Sequence, residues 1–104
     1  DSSFIKERRK YSFEGLALIS LIIYGNDYSI NKDIKLSLKG LPDISVSEIL
    51  NDFKISFVEN YTKLNSSQKL SDQIVSELIK NNLRKIMKNS FKKKPEIEVH
   101  LIRA

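Results

Sequence analysis

Apolar residues recur along this chain with two different periods, and the changes of period separate strands from helices. The segment Leu16 to Tyr24 is apolar on both faces and is interrupted only by Ser20. A segment of this kind, rich in β-branched and aromatic residues, is typical of a strand in the middle of a sheet. Strict alternation returns at Ile34 to Lys39 and again after Pro95. The alternation predicts two further strands, each buried on one face.

Between the second and third strands the period is helical. The first stripe consists of Val46, Leu50, Phe53, Phe57, Tyr61 and Leu64. Ser45 and Glu48 form a capping-box pattern, so a first helix is predicted from Ser45 to about Lys63, and Asn65 to Ser67 is predicted as a break. Ser71 is the predicted N-cap of a second helix. Its stripe runs from Ile74 to Phe91, and the cations before Pro95 suit its C-terminal end.

These elements predict an α+β fold in the order β-β-α-α-β. We expect a three-stranded mixed sheet of order 2-1-3, with the first strand central and both helices packed on one face. The first two strands are expected to be antiparallel, and the last strand parallel to the first. The unbroken apolar row should face the helices, and it consists of Ala17, Ile19, Leu21 and Ile23.

Charge is concentrated on the predicted second helix. The net charge is +5, and seven basic residues but no acidic one lie between Lys80 and Lys94. The rest of the chain therefore has a net charge of −2, the difference between +5 and +7. Two interpretations stay open: a phosphate-contacting patch, or a solvated helix face whose cations offset the helix dipole. The residues of the patch would be Lys88, Lys92, Lys93 and Lys94.

Candidate catalytic chemistry is sparse in this sequence. His100 is the one histidine, cysteine is absent, and a zinc site usually needs three or four protein ligands. Glu96 and Glu98 alternate along a predicted strand, as ordinary solvent-facing acids do. The three glycines are isolated, which excludes a phosphate-binding loop. We therefore predict no catalytic, cofactor-binding or metal-ligating residue, and the longest apolar run is too short to span a membrane.

Two motifs resemble a known family. Residues 92–95 read K-K-K-P before an aliphatic strand, and residues 8–15 read R-R-K-Y-S-F-E-G before the first strand. A basic run, Pro and closing strand, preceded by R-R-x-x-S-x-(D/E)-G, is similar to the C-terminal domain of ribonuclease J, of the metallo-β-lactamase/β-CASP group. The chain departs from that family at Lys39-Gly40, where ribonuclease J usually has an S-R-G-F segment, and lysine does not reproduce arginine's bidentate fork.

The resemblance implies a division of labour in a longer protein. Residues 1–15 would lead in from a preceding domain, and residues 16–104 would form the C-terminal α+β domain. The parent would be a bacterial, cytoplasmic zinc-dependent ribonuclease with exo- or endonuclease activity, its metals held by an H-x-H-x-D-H cluster outside this chain. This fragment would be a non-catalytic auxiliary domain for RNA degradation or processing, serving oligomerisation and positioning of the catalytic region.

Two other functions compete with this hypothesis. One is an RNA-binding module that uses the basic last helix, although the chain lacks the G-x-x-G clamp of KH domains and a pair of stacking aromatics. The other is a free-standing interaction domain of some other protein.

The outward row of the first strand is predicted to be an interface. It comprises Leu18, Ser20, Ile22 and Tyr24, flanked by Lys35 and Lys39 on one side and by Glu96 and Glu98 on the other. An aliphatic band between opposite charges is the pattern of an interaction surface. We expect a homodimer through this face, and the parent's catalytic domains are the competing partner. RNA would be a partner through the parent enzyme.

Overall fold

A computed structural model describes residues 15–40, 46–90 and 95–104. The strands are β1 (Leu16–Ile23), β2 (Lys35–Lys39) and β3 (Glu96–Arg103), and the helices are α1 (Val46–Thr62), α2 (Ser66–Leu70) and α3 (Asp72–Ser90). The sheet has the order β2-β1-β3, with β1 antiparallel to β2 and parallel to β3. The predicted α+β architecture, strand order and strand directions are confirmed.

Side-chain alternation in β1 separates the core from the opposite face of the sheet. Ala17, Ile19, Leu21 and Ile23 each have an exposed fraction of 0 %, so the predicted inward row is confirmed. They pack in one cluster with residues of α1, α3 and β3, namely Ile49, Phe53, Phe57, Tyr61, Val75, Ile79, Leu83, Met87 and Ile97. Burying one large aliphatic or aromatic side chain contributes about 1.5–3 kcal/mol, so this cluster is the main source of stability.

Helix α1 ends within one residue of its predicted end, but its buried stripe differs at the first position. Val46 is 36 % exposed, whereas Ile49 is 3 % exposed and takes its place in the core. Position 46 is the first residue of the helix and is open to solvent, so the predicted burial of Val46 is wrong. The Ser45 side of the predicted capping box lies outside the described residues.

The predicted break between the long helices contains the short helix α2. The Asn65 side chain accepts from the Gln68 N–H at 2.9 Å, and the Gln68 side chain accepts from the Asn65 N–H at 2.9 Å. This reciprocal capping box supports one helical turn where only a break was expected. The Ser71 hydroxyl accepts from the Ile74 N–H at 3.2 Å, which confirms Ser71 as the N-cap of α3.

A small polar network fixes helix α3 against helix α1. Asn82 is 4 % exposed, and its carbonyl oxygen accepts from the Ser56 hydroxyl at 2.6 Å and from the Asn60 amide at 2.9 Å. Its own amide donates to the Leu78 carbonyl at 2.7 Å. Because a buried amide is costly without partners, these hydrogen bonds favour one alignment of the two helices.

The connection from β1 to β2 is held by hydrogen bonds that involve three tyrosines. Tyr28 has a φ of 59°, a backbone conformation unusual for a bulky residue. Its N–H donates to the Tyr24 carbonyl at 2.9 Å, and its carbonyl accepts from the Tyr61 hydroxyl at 2.7 Å. Helix α1 therefore holds this loop through Tyr61, and β2 returns in a defined register.

Candidate interaction surface

The face of the sheet turned away from the helices, here called the outer face, collects the side chains that alternate with the core row. It consists of Leu16, Leu18, Ser20 and Ile22 on β1, Lys35, Ser37 and Lys39 on β2, and Glu96, Glu98, His100 and Ile102 on β3. Leu18 is 39 % exposed and Ile102 is 38 % exposed. Apolar side chains thus form an open band along the centre of this face.

The strand register arranges the outer face in rows. Leu16 lies opposite Lys39 on one side and opposite Glu96 on the other. Leu18 lies between Ser37 and Glu98 in the second row, and Ser20 lies between Lys35 and His100 in the third. Positive charge therefore follows the β2 edge and negative charge follows the first half of β3.

All eight residues predicted for the interface lie within the described part of the chain. Lys35, Lys39 and Glu98 are exposed, while Ser20, Ile22 and Glu96 are partly buried. Tyr24 follows the end of β1, is 38 % exposed, and its hydroxyl accepts from the Asn31 amide at 2.6 Å. The fold brings β2, β1 and β3 side by side and so gathers these residues on or beside one face.

Ile102 and His100 also belong to this surface, although neither is among the predicted interface residues. The alternation already predicts that His100 shares a strand face with Glu96 and Glu98, and β3 continues to Arg103. Extending the same two-residue period by one step places Ile102 on this face as well. Ile102 lies beside Ile22 in the register and extends the apolar band onto β3.

The end of β3 is anchored on the inner side by Arg103. Its Nε lies 2.9 Å from the Asp72 carboxylate, and its guanidinium also donates to the Lys69 carbonyl at 2.7 Å. The Lys69 Nζ lies 5.1 Å from the centre of the Tyr61 ring. These contacts join the last strand to the junction of α2 and α3, so the outer face is presented on a fixed sheet.

The basic residues of α3 form a separate surface. Arg84, Lys85 and Lys88 are exposed on the side of the helix away from the core. Of the four lysines predicted for RNA contact, Lys88 is therefore available to solvent, and Lys92, Lys93 and Lys94 lie outside the described residues. A further exposed apolar pair lies on α1, where Ile55 is 71 % exposed and Val58 is 46 % exposed.

Metal-ligand geometry does not occur in the described ranges 15–40, 46–90 and 95–104, where no three His, Cys, Asp or Glu side chains come together. His100 is exposed on the outer face, as its strand position predicts. In the same ranges, no helix combines the length and the apolar character needed to cross a membrane.

Two side chains have shifted ionisation. Hydrogen bonds from the side chain and backbone of Ser29 lower the pKa of the exposed Asp27 carboxyl. Burial raises the pKa of the Tyr61 hydroxyl, because the neutral form is favoured away from water. Both groups belong to the loop between β1 and β2 and its support, so their role is structural.

The family described as the ribonuclease J C-terminal domain matches residues 3–104 of the chain. No curated protein matches it.

Proposed function

Because the chain belongs to the ribonuclease J C-terminal domain family, we propose that it serves to assemble the enzyme and to position its catalytic region. This family is a non-catalytic, auxiliary part of a nuclease, and it associates with the parent's catalytic domains. The role in assembly is proposed in addition to what the family implies, and the open apolar band of the outer face supports it.

We also propose that the parent is a cytoplasmic bacterial enzyme whose zinc is held outside this chain. The family assignment supports this through the nuclease it belongs to. A catalytic zinc needs three protein ligands in one place, and in this proposal the parent's other domains supply them. The chain's own residues would then bind and orient rather than react.

The proposed assembly role rests on the exposed apolar side chains of the outer face. Leu18 and Ile102 are more than a third exposed, at 39 % and 38 %, and they lie beside Ile22 and Leu16 on the same side of the sheet. Along β1 this apolar surface is interrupted only at Ser20, and exposed apolar patches rimmed by polar residues are typical of interaction sites. We propose that a second copy of the chain covers it, and the parent's catalytic domains are the competing partner.

Substituting Ile22→Asp tests the assembly role. The charge would be placed within the apolar band, beside Ile102, so the variant should sediment as a monomer at concentrations where the wild-type chain is a dimer. Ile55→Asp is the matched control, because it places the same charge on a 71 % exposed isoleucine of α1. The proposal fails if the wild-type chain is already monomeric at high concentration, or if both variants dissociate equally while circular dichroism shows them folded.

A second candidate function is RNA binding through α3, which the exposure of Arg84, Lys85 and Lys88 on one helix favours. Neutralising Lys88 together with Lys92, Lys93 and Lys94 should weaken binding of a single-stranded RNA. The slope of log affinity against log salt should become shallower by about 0.7 for each phosphate that the variant no longer neutralises. Lys63→Gln, an exposed lysine elsewhere, is the control. If fluorescence anisotropy shows unchanged RNA binding, these lysines do not contact RNA and simply form a solvated helix face.

A further inference from the structure

The strand register determines which charged residues of β2 and β3 share a row on the outer face. Lys39 and Glu96 are both opposite Leu16, so these opposite charges lie at the two ends of a single row. In the third row, Lys35 and His100 are both opposite Ser20. A second copy that covers this face therefore gains opposite-charge contacts at the first row only if its β2 lies over β3 of the first copy.

In a face-to-face pair with two-fold symmetry the axis lies between the two sheets, and its directions along and across the strands give different charge contacts. A two-fold axis parallel to β1 exchanges the β2 and β3 sides and keeps each row opposite itself. Lys39 then lies over the second copy's Glu96, and this contact occurs twice. Ser37 lies over the second copy's Glu98, which is a hydrogen-bond acceptor.

The other axis runs across the strands, and it offers no opposite-charge contact for Lys39 or Glu96. If it passes through the second row, Lys39 lies over the second copy's Lys35 and Glu98 over the second copy's Glu98, and like charges placed opposite each other are unfavourable. If it passes between the second and third rows, the like-charge contacts disappear, but Glu96 then lies over the second copy's Ile102.

The axis parallel to β1 also suits the apolar band. It places Leu16, Leu18 and Ile22 over the same residues of the second copy along the middle of the interface. Stacked sheets lie about 10 Å apart with strands aligned within about 30°, so long side chains at the edges can still meet. Lys39 and Glu96 belong to the edge strands and are exposed and partly buried, respectively.

We propose that the homodimer forms around a two-fold axis parallel to β1, and that Lys39 paired with Glu96 of the second copy determines its orientation. This inference rests on the proposed homodimer. Lys35 faces His100 rather than a carboxylate, so the Lys39–Glu96 pair sets the direction. The partner is thus a second copy of this chain, recognised by opposite charges at the two ends of one row.

Reversing the charges at Lys39 and Glu96 in two separate variants, and then mixing them, tests the inferred axis. Lys39→Glu alone places two glutamates opposite each other, and Glu96→Lys alone places two lysines opposite each other. Each single variant should dimerise about tenfold more weakly than wild type, because two exposed ion pairs become repulsive. Mixing the two variants restores both opposite-charge contacts in a heterodimer. The mixture should therefore dimerise with nearly the wild-type dissociation constant, measured by sedimentation equilibrium with one variant fluorescently labelled.

The double variant Lys39→Glu/Glu96→Lys on one chain is the internal control and should also dimerise like wild type. Thermal melts of every variant check that the chain is folded. If the wild type dimerises but mixing restores nothing, the axis is wrong while the homodimer stands. Restoration accompanied by species larger than a dimer would also overturn the inference, because it would indicate edge-to-edge pairing of β2 with β3. A monomeric wild type would remove the homodimer itself.

Discussion

The two faces of strand β1 share one backbone and have opposite roles. Leu21 on the inner face has an exposed fraction of 0 %, whereas Leu18 on the outer face, three residues earlier, has an exposed fraction of 39 %. The inner row packs against α1 and α3 and holds the fold together. The outer row lies on the side of the sheet away from these helices and remains available for association. Stability and interaction are therefore separated by the two-residue period of a strand, and the two roles can be altered independently.

The largest effect should come from shortening a leucine on the inner face. Leu21→Ala would leave a cavity in a core without solvent access and should lower the free energy of unfolding by about 2–5 kcal/mol. Leu18→Ala removes the same atoms from the outer face and should cost less than about 1 kcal/mol. Urea unfolding measures both, with each change made in the Ile22→Asp background so that dissociation does not contribute.

Equal losses of stability from these two leucine substitutions would contradict the separate roles of the two faces of β1. Such a result would mean that the outer face is as important to the isolated fold as the core. It would also contradict the assignment of the apolar band to an intermolecular contact.

A smaller effect should come from the polar network between α1 and α3. Asn82→Ala leaves the Ser56 hydroxyl without its acceptor at 2.6 Å, and the free energy of unfolding should fall by about 1–3 kcal/mol. Asn81→Ala is the matched control, because Asn81 is exposed on the same helix and gains the same helix propensity. Urea unfolding should separate the two variants; similar stabilities would show that the network adds nothing beyond packing.

The smallest effect should come from the hydroxyl that supports the loop between β1 and β2. Tyr61→Phe removes its hydrogen bond to the Tyr28 carbonyl and should cost about 0.5–1.5 kcal/mol at neutral pH, measured by urea unfolding. Tyr24→Phe, which removes the hydroxyl of a 38 % exposed side chain, should cost less.

The same tyrosine predicts a change of stability with alkaline pH. Burial raises the pKa of Tyr61 in the folded state, so its stabilisation is complete below the ordinary tyrosine pKa. It is lost as the pH rises through the higher folded-state pKa. Unfolding measured at neutral and alkaline pH should therefore show a smaller alkaline loss of stability for Tyr61→Phe than for the wild type. An identical loss in both proteins would contradict a role for Tyr61 ionisation.

Much of the fold followed from the sequence because β1 is so distinctive. The inward row of β1 contains only apolar residues, whereas the outward row contains Ser20. This pattern predicts a central strand and identifies its buried face. The role of Ser71 as an N-cap could also be predicted from the sequence, and its hydroxyl accepts a hydrogen bond from the Ile74 N–H. These features depend on neighbours close in sequence.

What the sequence did not reveal depends on contacts distant in sequence or on a single turn. The register between β1 and β2 passes through a loop with Tyr28 in a left-handed conformation, held by Tyr61 from α1. Helix α2 was missed because its polar residues resemble a break, although Asn65 and Gln68 have capping-box spacing. The pairing of Lys39 and Glu96 in one row, on which the inferred axis depends, needed the register as well.

Methyl NMR of the wild-type chain over a range of concentrations tests directly whether a second copy covers the outer face. The methyl resonances of Leu18, Ile22 and Ile102 should shift as concentration rises. Those of Ile55 and Val58 on α1 should stay constant, although these side chains are more exposed than Leu18, at 71 % and 46 %. Constant resonances for all five residues, or shifts confined to α1, would contradict the claim.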